Sequence, residues 1–359
     1  MKPAPDELDL ALNEMTLRVG GRAADLDSGR TDVRGDITAM GRAGLFDSAF
    51  HDDGLPTLIR VIDDISAHSL AVGFSAWAHA MTLHYLLQAP ATLRERHVES
   101  LRIGTRIGVT ALAAGLKHAA GLEDMPLIAH RSGNSVRLSG LIPWASNVFD
   151  DALIVLPALG SAGETYIAAL DVGTAGVVIN PAPTLMALGS TASTSLRLES
   201  VCISSGQIIS TDLQAFLKRI RPILLLSQTA FCIGAGRAAI AGARNATGVL
   251  AAQFAAEVSA LSEHIAAHRD RLYAFAVQPS QRHIVDLIRL RLDTMTAAVA
   301  ATRLECTLSG GAGYATHFAA NRRFREAAFL PIQSPSEGHL RWELQRYAQP
   351  TAGDPGPTR

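Results

Sequence analysis

Four short segments of this chain hold side chains whose types and spacing could do chemistry. Trp144 stands two residues before Ser146, a flat aromatic wall beside a hydroxyl donor, which suits the edge of a planar ring system. Arg244 precedes Gly248 by four residues, and a guanidinium forms bidentate, charge-assisted bonds to a diphosphate. Gly310, Gly311 and Gly313 lead into Tyr314, and a glycine-rich turn lets backbone amides approach an anion closely. Ser334, Glu337 and His339 follow within six residues. A serine hydroxyl is no base near neutral pH unless another base activates it. Glu337 is the carboxylate nearest to Ser334, and His339 is a weaker alternative. His264 and His268 have the i,i+4 spacing of two metal ligands, but no third ligand accompanies them and no metal is expected. The chain has no G-x-S-x-G, H-E-x-x-H, P-loop or C-x-x-C motif.

The composition narrows the partners. Hydrophobic residues make up 48% and charged residues 18%, a globular balance. A net charge of −1 creates no field for nucleic acid or an anionic membrane, and 5% aromatics make a poor base-stacking surface. Cys202, Cys232 and Cys306 are odd in number and far apart, so three reduced, buried thiols are expected. The first ten residues lack a basic, then apolar, leader pattern, and the apolar stretches are interrupted by polar residues. The most apolar of them, 220–233, contains Arg221, Pro222, Ser227 and Gln228 and reads as a buried core helix. These features lead to the expectation of a soluble, cytoplasmic protein.

The elements that must position these residues change texture twice. Residues 1–108 read as helices, with apolar positions at helical spacing over 58–87 (Leu58, Ile62, Ile65, Leu70, Phe74, Trp77). Within 109–210, short β-like runs at 127–130, 135–138, 152–156, 165–170, 176–179 and 196–201 alternate with Gly, Ser, Asn and Pro, as in a small sandwich or barrel. Residues 211–348 are helical again, with long periodic segments at 227–245, 250–274 and 283–308, and the proline-rich end, 349–359, is expected to be disordered. An α, β, α order without βαβ alternation excludes a TIM barrel and a Rossmann fold.

With these segments in this order, the chain resembles the acyl-CoA dehydrogenase family over nearly its whole length. The stretch from Gly140 through Trp144 and Ser146 to Asn147 is similar to the family's G-x-K-x-W-I-T-N strand. Thr110 and Gly115 match its T-E-P-x-x-G-S-D loop, in which Ala111, Leu116 and Lys117 replace the Glu, Ser and Asp. The Ser/Thr-rich segment from Ala187 to Val201 resembles the stretch closing the family's β-domain. Arg221-Pro222 resembles its Arg-Pro at the start of the first bundle helix, and Arg244 to Gly248 its R-x-x-F-G. Gly310 to Tyr314, then Arg322 and Arg325-Glu326-Ala327, resemble G-G-x-G-Y and V-E-R-x-x-R-D-A.

The resemblance implies an α+β fold: an N-terminal helical domain, a middle β-barrel domain and a C-terminal four-helix bundle. It implies FAD held between subunits, and so a homodimer or homotetramer, or a hetero-oligomer. Thr110, Trp144 and Ser146 would lie at the flavin; Arg244, Thr307, Gly310, Gly311 and Ser336 would complete the cofactor site; Arg221 would stand at the substrate entrance. Thr307 departs from the family's usual Gln. The larger departure is Ser334, which falls where the family's I-Y-E-G-T carries the catalytic Glu, while the alternative family position on the first bundle helix holds Ile220. Three functions fit: an acyl-CoA dehydrogenase whose base has moved, with Glu337 the candidate; a flavin-dependent monooxygenase or oxidase, which needs no α-proton base; or a non-catalytic subunit beside a Glu-bearing partner.

Overall fold

The structure is a computed structural model that describes residues 5–348 apart from 52. The expected disordered end, 349–359, lies outside the described residues. Helices α1 (Pro5–Asp27), α2 (Arg34–Arg42), α3 (Leu55–His68), α4 (Leu70–Leu86) and α5 (Ala91–Arg102) come first. The periodic run over 58–87 is therefore two helices. Ser69 separates them in an extended conformation, and its hydroxyl accepts from Val72 N at 3.4 Å as the cap of α4. Nearly every residue of α4 is buried, so it runs through the protein as a central rod.

Among the described residues all eight strands lie between Gly108 and Ser210: β1 (Gly108–Thr110), then, after the short helix α6 (Ala113–Ala119), β2 (Leu127–Ser132), β3 (Ser135–Ala145), β4 (Leu153–Gly160), β5 (Thr165–Asp171), β6 (Val177–Ile179), β7 (Thr194–Ser204) and β8 (Ile208–Ser210). The six runs read from sequence are all strands. β1 and β8, three residues each, were too short to stand out. The sheet order is β6-β7-β3-β2-β4-β5-β8, with β1 parallel to β4. β4 is buried along nearly its whole length, between helices and its neighbours.

Helix α7 (Leu213–Arg244) opens the bundle, followed by α8 (Val249–Ala252), α9 (Ala255–Val277), α10 (Ile284–Leu308), α11 (Gly311–Tyr314), α12 (Ala319–Ala327) and α13 (Glu337–Ala348). By length and composition α7 could cross a membrane, yet 83% of its most apolar window is buried inside the protein, as expected of a core helix. Pro222 is not at the helix start. Asp212 caps α7, accepting from Ala215 N at 2.8 Å, so Arg221 and Pro222 lie inside the helix. The cysteines are free, but only Cys232 is fully buried; Cys202 is exposed on β7, and Cys306 is half-buried.

Candidate active site

The first cluster lies where α4 meets the sheet. Asn147 follows the end of β3 in a left-handed conformation, φ 65°. Its Nδ2 donates to the carbonyl of Ser75 on α4 at 2.9 Å and to that of Gly108 on β1 at 3.1 Å. One buried amide thus ties the Trp144–Ser146 corner to the strand that ends in Thr110. Thr110 is in turn within 3.1 Å of the Tyr85 hydroxyl of α4, and burial pushes that phenol above its ordinary range. Ser146 Oγ lies 2.6 Å from Ser193 Oγ, which lies 2.7 Å from Thr191 Oγ1, and Thr191 donates to the Leu188 carbonyl at 2.7 Å. This hydroxyl chain ends in a fixed acceptor. The register of β3 against β7 slips between Ile142 and Ala145, where β3 carries one extra residue. Pro143 has no N–H to give a ladder, so the bulge costs little there, and it turns Trp144 outward, 58% exposed.

The second cluster surrounds Ser334. Its carbonyl accepts from Gln228 Nε2 of α7 and from Gln333 Nε2, both at 2.8 Å, while its hydroxyl is buried without a partner in the chain. Ser336 Oγ accepts from His339 N at 3.4 Å, so it caps α13. Glu337, in the first turn of α13, accepts from Arg341 Nε at 2.7 Å. Arg221 Nη2 meets both oxygens of Glu343 at 2.6 Å, and Glu343 is also 2.7 Å from His339 Nε2. Burial pushes the Glu343 carboxyl up; His339 and Arg221 outweigh that and hold it below the ordinary range. Sequence reasoning did not find Gln228, Gln333 or Glu343 as site residues. The i,i+4 spacing of His339 and Glu343 was the available signal for the last.

The third cluster is at the far end of α7. Arg244 is exposed and donates to Ser262 at 2.7 Å. It lines a groove of about 410 Å³ with Ala246, Gly248, Ala252, Ser259 and Leu308. Leu308 joins Thr307 to the glycine turn. Gly310 has φ 57° and Tyr314 is 90% exposed, and a Cβ added at Gly310 or Gly311 would meet nothing within 4 Å. The groove and the turn thus present backbone and one guanidinium to solvent. Arg322 and Arg325 are committed elsewhere: Arg322 donates to the His68 carbonyl at 3.2 Å, and Arg325 pairs with Asp27 at 2.5 Å. The rings of His264 and His268 stand 6.5 Å apart, and no group of three or more potential metal ligands occurs among the described residues.

No family model and no curated protein sequence matches the chain. Solved structures do. Butyryl-CoA dehydrogenase from Megasphaera elsdenii matches with a TM-score of 0.85 at 16% identity, over 97% of this chain and 99% of that one. A glutaryl-CoA dehydrogenase from Mycobacterium smegmatis in complex with FADH2 matches with a TM-score of 0.81 at 15% identity, over 98% and 96%. Dibenzothiophene monooxygenase from Paenibacillus sp. A11-2 matches with a TM-score of 0.75 at 16% identity, over 96% and 97%. The described chain has the acyl-CoA dehydrogenase fold.

Proposed function

We propose that the chain is an FAD-dependent oxidoreductase acting on the CH–CH bond of an acyl thioester. The observation that carries this reading is the Asn147 tie, which brings Thr110, Trp144 and Ser146 to one corner of a fold shared with such enzymes. The residues present fit the cofactor. Trp144 offers a large exposed aromatic face, and Ser146 donates inward along the hydroxyl chain that ends on the Leu188 carbonyl, so towards the cofactor it offers a lone pair that can accept. Arg244, Gly310 and Gly311, with Thr307, would hold the diphosphate end, where a Cβ at either glycine would meet nothing within 4 Å, and Ser336 would complete the cofactor site from the Ser334 segment. Arg244 is the last residue of α7, far along the helix from Arg221, which supports reading the site as one that a second subunit would complete, in a homodimer, a homotetramer or a hetero-oligomer. Bound FAD supplies the hydride acceptor. Arg221, neutralised by Glu343, orients the entrance without an unpaired buried charge. Ser334 cannot take the α-proton, and Glu337 is the carboxylate assigned to that task.

Anaerobic bleaching of the flavin by saturated acyl-CoAs tests this reading. Bleaching should persist in the native protein and fall by roughly 10²–10⁴-fold in Glu337→Gln, since a positioned base contributes that much. Fast bleaching that survives the substitution would rule out Glu337. The buried, non-basic hydroxyl of Ser334 favours a second reading, a monooxygenase or oxidase on the same fold. Its signature is no bleaching at any chain length, with oxygen consumed by the reduced flavin in the presence of a hydroxylatable substrate.

A further inference from the structure

Helix α9 is long, and the rest of the chain hardly covers it. Of its 23 residues only Ile265, Leu272 and Ala276 are buried, whereas α10 beside it buries more than half of its length. The three buried residues share one side of the helix. The opposite side is exposed and consists of Ala256, Ala260, Glu263, Ala267, Asp270 and Ala274, at alternating steps of four and three residues. A helix face meant for water is normally built from long polar and charged side chains. This one has four alanines, and α9 contains no Lys and no Gln. Side chains this small let a second helix lie close against it.

The charges flanking Ala267 say which helix that is. Glu263 and Arg271 stand four residues before and after it, on one i,i+4 row, and both are exposed. They lie about 12 Å apart along the axis, too far to pair with each other. Among the described residues Glu263 accepts only from Ser259, at 3.1 Å, and Arg271 has neither a hydrogen bond nor an ion pair. A two-fold axis sets residue i of one copy against residue j of the other, and j against i. With the axis at Ala267, two antiparallel copies of α9 place each Glu263 beside Arg271 of the other copy. Two ion pairs then flank a close alanine contact, and Asp270 stays in water at the rim. Rows at i,i+4 are also the rows that interdigitate in the commonest helix packing. An acidic partner would face Glu263, and a basic one would face Arg271; a second copy answers both. We propose that the outer face of α9 is a two-fold contact with α9 of a second copy of this chain. It is distinct from the Arg244 groove, which runs along the side of α9 that holds Ala255, Val258 and Ser259. Two different two-fold faces on one chain close as a dimer of dimers, so this contact and a subunit contact at the groove together make a tetramer.

The test is sedimentation velocity on the full chain with FAD, over a dilution series. Ala267→Glu sets two carboxylates against each other on the axis and should halve the number of chains per particle, while FAD affinity stays native. Glu263→Arg and Arg271→Glu each bring like charges together, and each should raise the concentration at which the contact dissociates about tenfold or more. The double variant reverses the pair and should return to within about threefold of the native protein. A melting curve checks each variant for folding, and if Ala267→Glu does not fold, the charge reversal decides. Native particles no larger than those of Ala267→Glu, or a double variant assembled no better than the single ones, would overturn the inference and leave the FAD and thioester readings untouched. An FAD affinity that falls as far in Ala267→Glu as in Arg244→Ala would overturn it too, because the two faces would then be one.

Discussion

Arg237 and Arg244 lie two turns apart on α7 and have different tasks. Arg237 reaches the fully buried Asp63 of α3 at 2.6 Å, which Arg269 also holds at 2.7 Å, so it ties α7 to the N-terminal helices. Among the described residues Arg244 has only Ser262 for a hydrogen-bond partner, and it faces the groove. Arg244→Ala should weaken FAD binding about ten- to a hundredfold, the loss of one charge-assisted contact, and leave the melting temperature nearly unchanged. Arg237→Ala should cost about 1–3 kcal/mol of stability in urea unfolding with native-like FAD affinity at low temperature. Equal losses of FAD affinity would mean that the diphosphate end has been misplaced. At this scale the sequence was readable wherever a side chain's chemistry is local. Trp144, Ser146, Arg244 and the glycine turn stand out by type and spacing. Gln228 and Gln333 do not, because their significance comes from a shared carbonyl that only the packing of α7 against the Ser334 segment creates.

The element that organises the site is α4, and its hold on β1 is His79. The imidazole accepts from Gly108 N at 2.9 Å through Nδ1, so its Nε2 carries the proton and donates to the Leu101 carbonyl at 3.0 Å. Burial holds this histidine down to about 4. His79→Leu would strand a buried N–H and a buried carbonyl, and should destabilise the protein by about 2–4 kcal/mol, read from urea unfolding. It should also loosen the strand that carries Thr110. The opposite titration belongs to Glu326 of α12, whose carboxyl burial pushes up to about 7. The folded state then binds more protons than the unfolded state between the ordinary carboxylate range and pH 7. Stability from this group is complete below that window and is lost as pH rises through it. The melting temperature of Glu326→Gln relative to the parent should therefore climb across that window; a difference that stays flat with pH would refute the assignment. The helix boundaries were the least legible part of these elements. Apolar positions that keep helical spacing across 58–87 hid the Ser69 cap between α3 and α4, and Pro222 suggested a helix start because its position inside α7 depends on the Asp212 cap ten residues earlier.

For the molecule as a whole, the order of textures was informative because helices and strands impose different periods on the same apolar residues. That order, α then β then α, is reproduced by the fold, and the family resemblance named the architecture the structure adopts. The pieces are joined by ion pairs that no local pattern announces: Arg34 of α2 with Asp151 before β4, Arg325 of α12 with Asp27 of α1, and Arg221 of α7 with Glu343 of α13. The first cluster lies where α4 meets the sheet and the other two along α7, and what would unite them is one cofactor spanning from the Trp144 corner to the Arg244 groove of a neighbouring subunit. The measurement that tests this most directly is titration of the purified chain with FAD, followed by calorimetry and visible absorbance. The predicted result is a yellow protein binding one FAD per chain, with affinity cut about ten- to a hundredfold in Arg244→Ala. A colourless protein that takes up no FAD at high concentration would contradict the account at its centre.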